Sequence, residues 1–282
     1  MRSLLVMVLV LAGVAGCAEP AHPSDSVQPS NPAQPSAPAA PSFPVGAAVD
    51  YQLGGAYPLP AGVRLVARDV TASPASDAYN ICYVNGFQTQ PAERDLWLRE
   101  RHDLVLFDAS GNPVIDENWP DELIVDTSTA DKRARLADIV GETVKTCASK
   151  GFNAVEFDNL DSYSRSNGAL TVDDNLAFAT ALATVAHAAG MVAGQKNSAD
   201  LGRRGQQEAK FDFAVAEECL RFQECATYAS SYGDRLIDIE YTDDLPAPVD
   251  TVCALPNRPK SMVIRDRKLV TPSSQDYFYR HC

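Results

Sequence analysis

Apolar and polar positions alternate in short runs along most of this chain, and two longer stretches between them switch to a spacing of three and four. Eight runs read as strands: VDYQL (49–53), VRLVAR (63–68), YNICYV (79–84), NAVEFD (153–158), MVAGQKN (191–197), FDFAVAE (211–217), RLIDIEY (235–241) and SMVIRD (261–266). Short runs rich in Val, Ile, Tyr and Phe suit buried strands. Residues 131–149 put Leu136, Ile139, Val140, Val144 and Cys147 on one helical stripe, with Ser128 and Asp131 as its capping box and Gly151 as its stop. A second helix is predicted over 173–189, opened by Thr171 with Asp174 and closed by Gly190. Such alternation predicts parallel βαβ units, and eight of them close into a (β/α)8 TIM barrel, a single α/β domain. A doubly wound open sheet is the alternative. Residues 101–127 break the repeat and read as a short insertion between strands 3 and 4, with strand-like LVLF and LIVD.

The first residues change the picture of where this domain works. MRSLLVMVLVLAGVAGC joins a basic Arg2 to an apolar run ending in small residues, which reads as a lipoprotein signal peptide over 1–16 with Cys17 as the lipidated residue. An ordinary secretory signal is the alternative. Residues 17–44 hold eight prolines among Ala, Ser and Gln, the composition of a semi-rigid tether, and leave 45–282 for the domain. The expected address is the bacterial cell envelope or the secreted fraction. Six further cysteines, an even number, allow up to three disulfides in an oxidising compartment, in any of fifteen connectivities.

A net charge of −13 disfavours nucleic acid and anionic lipid surfaces, so membrane association is expected only through the lipid anchor. The four histidines are scattered and no CxxC pair occurs, so neither a metal nor another cofactor is expected. GxSxG, HExxH, GxxxxGK[ST] and GxGxxG are all missing. The chemistry gathers instead where predicted strands end, the rim on which barrel active sites are built. NAVEFDNLDSYSRSNG crowds Asp158, Asn159, Asp161, Ser162 and Tyr163 into six positions, and later strands end in Lys196 and Asn197, Glu217 and Glu218, Glu240 and Tyr241. Two carboxyls facing one cleft are the equipment of glycoside hydrolysis. Asp161 and Tyr163 are expected on the substrate side, Glu240 and Tyr241 as substrate contacts, and Lys196 and Asn197 as residues that orient a carboxylate or sugar hydroxyl. Lys196 would also hold Asp158 ionised. Gln52 and Asp69 are candidates for the pocket floor, Asp126 for the mouth or a helix cap, and Trp97 and Trp119 for sugar stacking.

Taken together, ICYVNGFQTQP, NWPDELIVDTS, GFNAVEFDNLDSYSRSNG, GQKN, FDFAVAEECLRFQEC and IEYTD resemble the family 114 glycoside hydrolases, the endo-α-1,4-polygalactosaminidase family, over residues 48–282. The resemblance implies a (β/α)8 fold and metal-independent endo-hydrolysis of α-1,4-linked galactosamine polymers, including partly deacetylated exopolysaccharide. By position it implies Asp158 and Glu217 as the catalytic pair, with Asp158 as nucleophile and Glu217 as general acid/base, or the reverse. Ala216 stands where some members have asparagine, and Tyr51 where many have tryptophan. A deacetylated galactosamine polymer is polycationic, and an acidic cleft attracts it over a Debye length of about 8 Å. The domain is expected to act as a monomer. A neutral α-glycan as substrate, or a non-catalytic carbohydrate-binding barrel, are the competing readings.

Overall fold

A computed structural model describes residues 42–282; the expected signal segment, Cys17 and nearly all of the tether lie outside the described residues. The elements run β1 (Val49–Gln52), β2 (Leu65–Asp69), β3 (Tyr79–Asn85), α1 (Arg94–Glu100), β4 (Ile115–Asp116), β5 (Trp119–Leu123), α2 (Ala130–Lys150), β6 (Ala154–Asp158) and α3 (Val172–Ala188). They continue with β7 (Val192–Lys196), α4 (Arg204–Gln207), β8 (Phe213–Glu217), α5 (Cys225–Tyr232), β9 (Leu236–Tyr241), α6 (Val249–Cys253), β10 (Ser261–Arg265) and β11 (Tyr279–His281). Nine strands form one sheet in the order β1-β2-β3-β6-β7-β8-β9-β10-β11, parallel throughout except for β10 with β11. The sheet curls into a nearly closed barrel, and its first eight strands in sheet order are the eight runs expected from the sequence.

Side chains alternate across this sheet, as the pleat requires. Val49, Tyr51, Leu65, Ala67, Ile81, Ala154, Phe213, Val215, Ile237, Ile239 and Val263 fill the barrel interior. Their neighbours Cys82, Val84, Val155, Phe157, Ala193, Ala214 and Ala216 face outward, against Leu136, Val140 and Val144 of α2 and Leu176 and Leu182 of α3. Within the interior layer Gly194 is forced by the Phe213 ring, whose Cζ would lie 2.4 Å from an added Cβ.

No backbone ladder joins β1 to β10. The seam is closed by Arg265, fully buried, whose guanidinium donates to Asp50 Oδ1 at 2.9 Å, to the Tyr51 carbonyl, and to the carbonyls of Phe278 and Val270, each at 3.0 Å. Tyr279 on β11 adds a hydroxyl donation to the Val49 carbonyl at 3.2 Å.

Three expectations need correcting. The connections after β1 and β2 carry no helix, because 53–64 is broken by Gly54, Gly55, Pro58, Pro60 and Gly62, and 70–78 is too short and polar. Helix α2 starts one residue later than its expected capping box: Thr129 accepts from the Lys132 amide at 3.3 Å, while the Ser128 amide is taken by Asp126 Oδ1 at 3.0 Å. In the insertion, LVLF and LIVD make only isolated bridges, apart from Leu123 at the end of β5, and the regular part is the antiparallel β4–β5 hairpin. The Thr171–Asp174 box of α3 and the left-handed Gly151 after α2 are both present.

All six described cysteines pair: Cys82–Cys147 ties β3 to α2, Cys219–Cys225 closes the loop after β8, and Cys253–Cys282 anchors the last residue to α6. This pairing fits the extracytoplasmic address. At the base of the barrel the Phe43 ring already packs on Phe213 and Tyr79, with centroids 5.0 and 5.7 Å away.

Candidate active site

Interior-facing parity carries four side chains to the mouth: Asp158, Lys196, Glu217 and Tyr241 are the last residues of β6, β7, β8 and β9. Tyr83 on β3 shares their orientation. Three of these strands then stop abruptly, because Asn159, Asn197 and Glu218 take left-handed conformations with φ of 62°, 49° and 62°. Asparagine tolerates that region; for glutamate it costs about 1 kcal/mol or more. Glu218 is held there by a two-pronged pair with Arg267, at 2.8 and 3.1 Å.

The ammonium of Lys196, 2% exposed, is the hub of the site. It lies 3.5 Å from Asp158 Oδ1 and 3.4 Å from Glu217 Oε2, and donates to the Tyr51 hydroxyl at 3.1 Å. Those two carboxylate oxygens are therefore at most about 6.9 Å apart, the two contacts laid end to end. Asp158 also accepts from the Tyr83 hydroxyl at 2.7 Å and the Asn159 amide at 2.9 Å. Glu217 accepts from the Tyr241 hydroxyl and from Asn197 Nδ2 at 3.2 Å, while its own amide donates to Asn197 Oδ1 at 2.8 Å. One asparagine side chain thus grips both ends of Glu217. Ala216 faces outward into the packed layer beneath the helices.

Burial pushes the Asp158 carboxyl upward, but the Lys196 charge and the Tyr83 and Asn159 hydrogen bonds outweigh it and hold it below the ordinary aspartate value. Burial works against the Lys196 ammonium, and its carboxylate neighbours Asp158, Glu217 and Glu156 raise it well above an ordinary lysine. One layer deeper, Glu156 is fully buried with neither oxygen hydrogen-bonded, and burial lifts its carboxyl to about 8.

These groups open into a cleft of about 820 Å³ whose wall is completed by the β4–β5 hairpin and by the 267–269 loop. Of the residues singled out in the sequence, Asp158, Asn159, Asp161, Lys196, Asn197, Glu217 and Tyr241 line it together, as does Trp119, which is 61% exposed. Six others stand elsewhere. Gln52 is buried in a network with Asp50 and Arg68. Asp69 caps its own turn by accepting from the Thr71 amide at 2.8 Å. Asp126 pairs with Lys132 of α2. Tyr163 donates to Asp200 and packs on the small apolar cluster under the insertion. Glu240 sits on the outward face of β9 and accepts from the Leu220 amide at 2.8 Å. Trp97 is buried in the outer layer.

Sequence reasoning did not single out Tyr83, Asn85, Glu122 or Arg165. Tyr83 could have been found from its parity with the interior Ile81. Arg165 joins the hairpin to the loop after β6 by pairing with Asp116 and Asp161, both at 2.8 Å. The described His, Cys, Asp and Glu side chains bring one group close enough to hold a metal, Cys219, Cys225 and Asp238, and its two sulfurs are joined as a disulfide.

Among solved structures, the chain is similar to Aspergillus fumigatus Ega3, crystallised in complex with galactosamine, at 24% identity and a TM-score of 0.65, covering 86% of this chain and 98% of that one. It is also similar to the glycoside hydrolase domain of PelA from Pseudomonas aeruginosa, at 12% identity and a TM-score of 0.51, covering 80% and 96% of the two chains. These likenesses show the fold. No curated protein matches the chain. Residues 29–282 match the profile of glycoside-hydrolase family GH114, and the chain therefore belongs to that family and is a glycoside hydrolase.

Proposed function

We propose that this protein is an endo-hydrolase of α-1,4-linked galactosamine polymers bearing free amines, with Asp158 as nucleophile and Glu217 as general acid/base. The observation that carries the reading is the single buried ammonium at the end of β7, shared by the carboxylates that end the flanking strands β6 and β8, 3.5 and 3.4 Å away. Lys196 keeps Asp158 ionised, as a nucleophile requires. Asp158 attacks the anomeric carbon while Glu217 protonates the departing glycosidic oxygen. Glu217 then takes a proton from the water that attacks the same carbon, and Asp158 is released. Retention needs carboxyls about 5–5.5 Å apart and inversion about 6.5–9.5 Å; the upper bound of about 6.9 Å set by Lys196 admits the retaining course, which a lysine-paired nucleophile suits. The galactosamine complex of Ega3 supports the choice of sugar, and the net charge of −13 suits a polycationic chain. On this reading the enzyme works outside the cytoplasm, tethered through Cys17 and residues 17–44, as a monomer without cofactor.

The test is incubation of residues 42–282 with α-1,4-galactosamine oligomers, with products sized by mass spectrometry beside Asp158→Asn. Shorter oligomers from the wild type alone are expected. Intact oligomers with folded wild-type protein would remove this substrate.

A further inference from the structure

Every carboxylate that lines the cleft has a cationic side chain against it, with one exception among the described residues. Asp158 and Glu217 share Lys196, Asp116 and Asp161 share Arg165, and Glu218 has Arg267. Glu122, on the β5 strand of the hairpin, has none. Its Oε2 accepts from Asn85 Nδ2 at 2.8 Å, and no partner holds its other oxygen. Partial burial and the negative charges of Asp158 and Asp116 outweigh the Asn85 hydrogen bond and the more distant Arg165 charge, and make its carboxyl harder to ionise.

The carboxylate is also placed with respect to the chemistry. Asn85, which holds it, stands opposite Asp158 in the β3–β6 register and accepts from Asn159 Nδ2 at 2.9 Å. Glu122 is thus joined through one asparagine to the residue after the proposed nucleophile. The exposed indole of Trp119 lines the same cleft from the same strand. A partly desolvated acid with no cation in contact, beside an apolar face in a sugar-cleaving cleft, is complementary to a pyranose carrying an ammonium group.

We infer that Glu122 receives the protonated amine of a hexosamine unit in the cleft, with Trp119 as the platform for a sugar ring, so that this hairpin selects free-amine over N-acetylated sugar. The inference rests on the galactosamine reading above and adds to it the residue that recognises the amine. An N-acetyl group offers the carboxylate a single neutral N–H in place of an ammonium charge, and brings a bulkier substituent. Glu122→Gln removes the charge and keeps an oxygen that accepts from Asn85, so the hairpin stays in place.

The test uses calorimetry on the hydrolysis-deficient Glu217→Gln protein, with and without Glu122→Gln, titrated with a free-amine galactosamine tetramer and with its N-acetylated counterpart. Wild-type protein is assayed for hydrolysis of the free-amine tetramer in parallel. The expected result is binding of the free-amine tetramer weakened at least tenfold by Glu122→Gln, with binding of the N-acetylated tetramer changed less than twofold. Equal binding of the free-amine tetramer by both proteins would overturn the role of Glu122 while leaving the substrate reading intact. Failure of the wild type to cleave, together with failure of both proteins to bind, would overturn reading and inference together. Circular dichroism and a thermal melt confirm that each variant is folded.

Discussion

Replacing Lys196 by methionine keeps the length of the side chain and deletes the charge on which the candidate site is built. At 3.5 and 3.4 Å, and an effective dielectric of about 20, each carboxylate contact is worth roughly 5 kcal/mol of gross attraction. Most of that is offset by the cost of burying an ammonium that is only 2% exposed. Breaking a buried pair typically costs about 3–5 kcal/mol, because the partner is left without compensation. Here the two carboxylates keep 20% and 29% exposure and can partly rehydrate, so about 3 kcal/mol is expected near neutral pH. The loss should depend on pH, and its sign follows from the directions of the shifts. Asp158 is held below its ordinary value, so its contribution is present above the unfolded aspartate range and disappears as pH falls through the folded value. Without Lys196 only the Tyr83 and Asn159 hydrogen bonds still oppose burial, and the carboxyl moves upward. Acid then relieves the variant first, and the gap between wild type and variant narrows as pH drops from 7 toward 4. Lys196 itself is raised well above 10.5, so it stays charged across this window. Urea unfolding followed by far-UV circular dichroism, at half-unit steps of pH, measures the gap. Hydrolysis should fall at least a hundredfold in the same protein. A stability loss below 1 kcal/mol, or one that does not change with pH, would refute the hub.

Other expectations are simpler. Asp158→Asn and Glu217→Gln should each lower kcat by at least 10³-fold in protein that still folds, read by oligomer hydrolysis and calorimetry. Glu156 has its folded value raised from 4.5 to about 8, so the wild type should lose stability steadily as pH rises between those values, by roughly 5 kcal/mol at most, and level off above. Glu156→Gln should show a flat profile over that range, and a parallel decline in both proteins would exclude the buried carboxyl as its source. Loss of Cys82–Cys147, which closes 65 residues, should cost about 4 kcal/mol, against about 2 for Cys219–Cys225, which closes 6; alanine pairs compared by urea unfolding rank them.

Much of this was legible before any coordinate. Strands β1–β3 and β6–β10 announce themselves because each is a short β-branched or aromatic run, and α2 and α3 because their stripes and caps agree. Legibility failed where a side chain's destination depends on parity or on a distant partner. Glu240 and Tyr241 are adjacent at one strand end, yet only Tyr241 shares the interior face with Ile237 and Ile239, and Glu240 turns outward to hold the loop after Glu217. Counting back in twos along β9 would have separated them. Gln52 is excluded in the same way by Tyr51. Tyr163 needed knowledge of Asp200, some 37 residues away, and Glu122 lay in an insertion whose fold the repeat did not predict. The two catalytic candidates were readable because Asp158 and Glu217 close strands in which every second residue faces inward.

The seam between β1 and β10 has a consequence for how this molecule meets acid. A cylinder sealed by a backbone ladder spreads its closure over many amides, whereas this one concentrates it in the guanidinium of Arg265. Three of its acceptors, at Tyr51, Val270 and Phe278, are carbonyl oxygens that do not titrate, and a guanidinium keeps its charge at any pH a protein survives. The staves of the barrel should therefore stay joined under acid that discharges the mouth. Activity would then be lost on acidification from a cylinder still shut, and return on neutralisation without any need to refold.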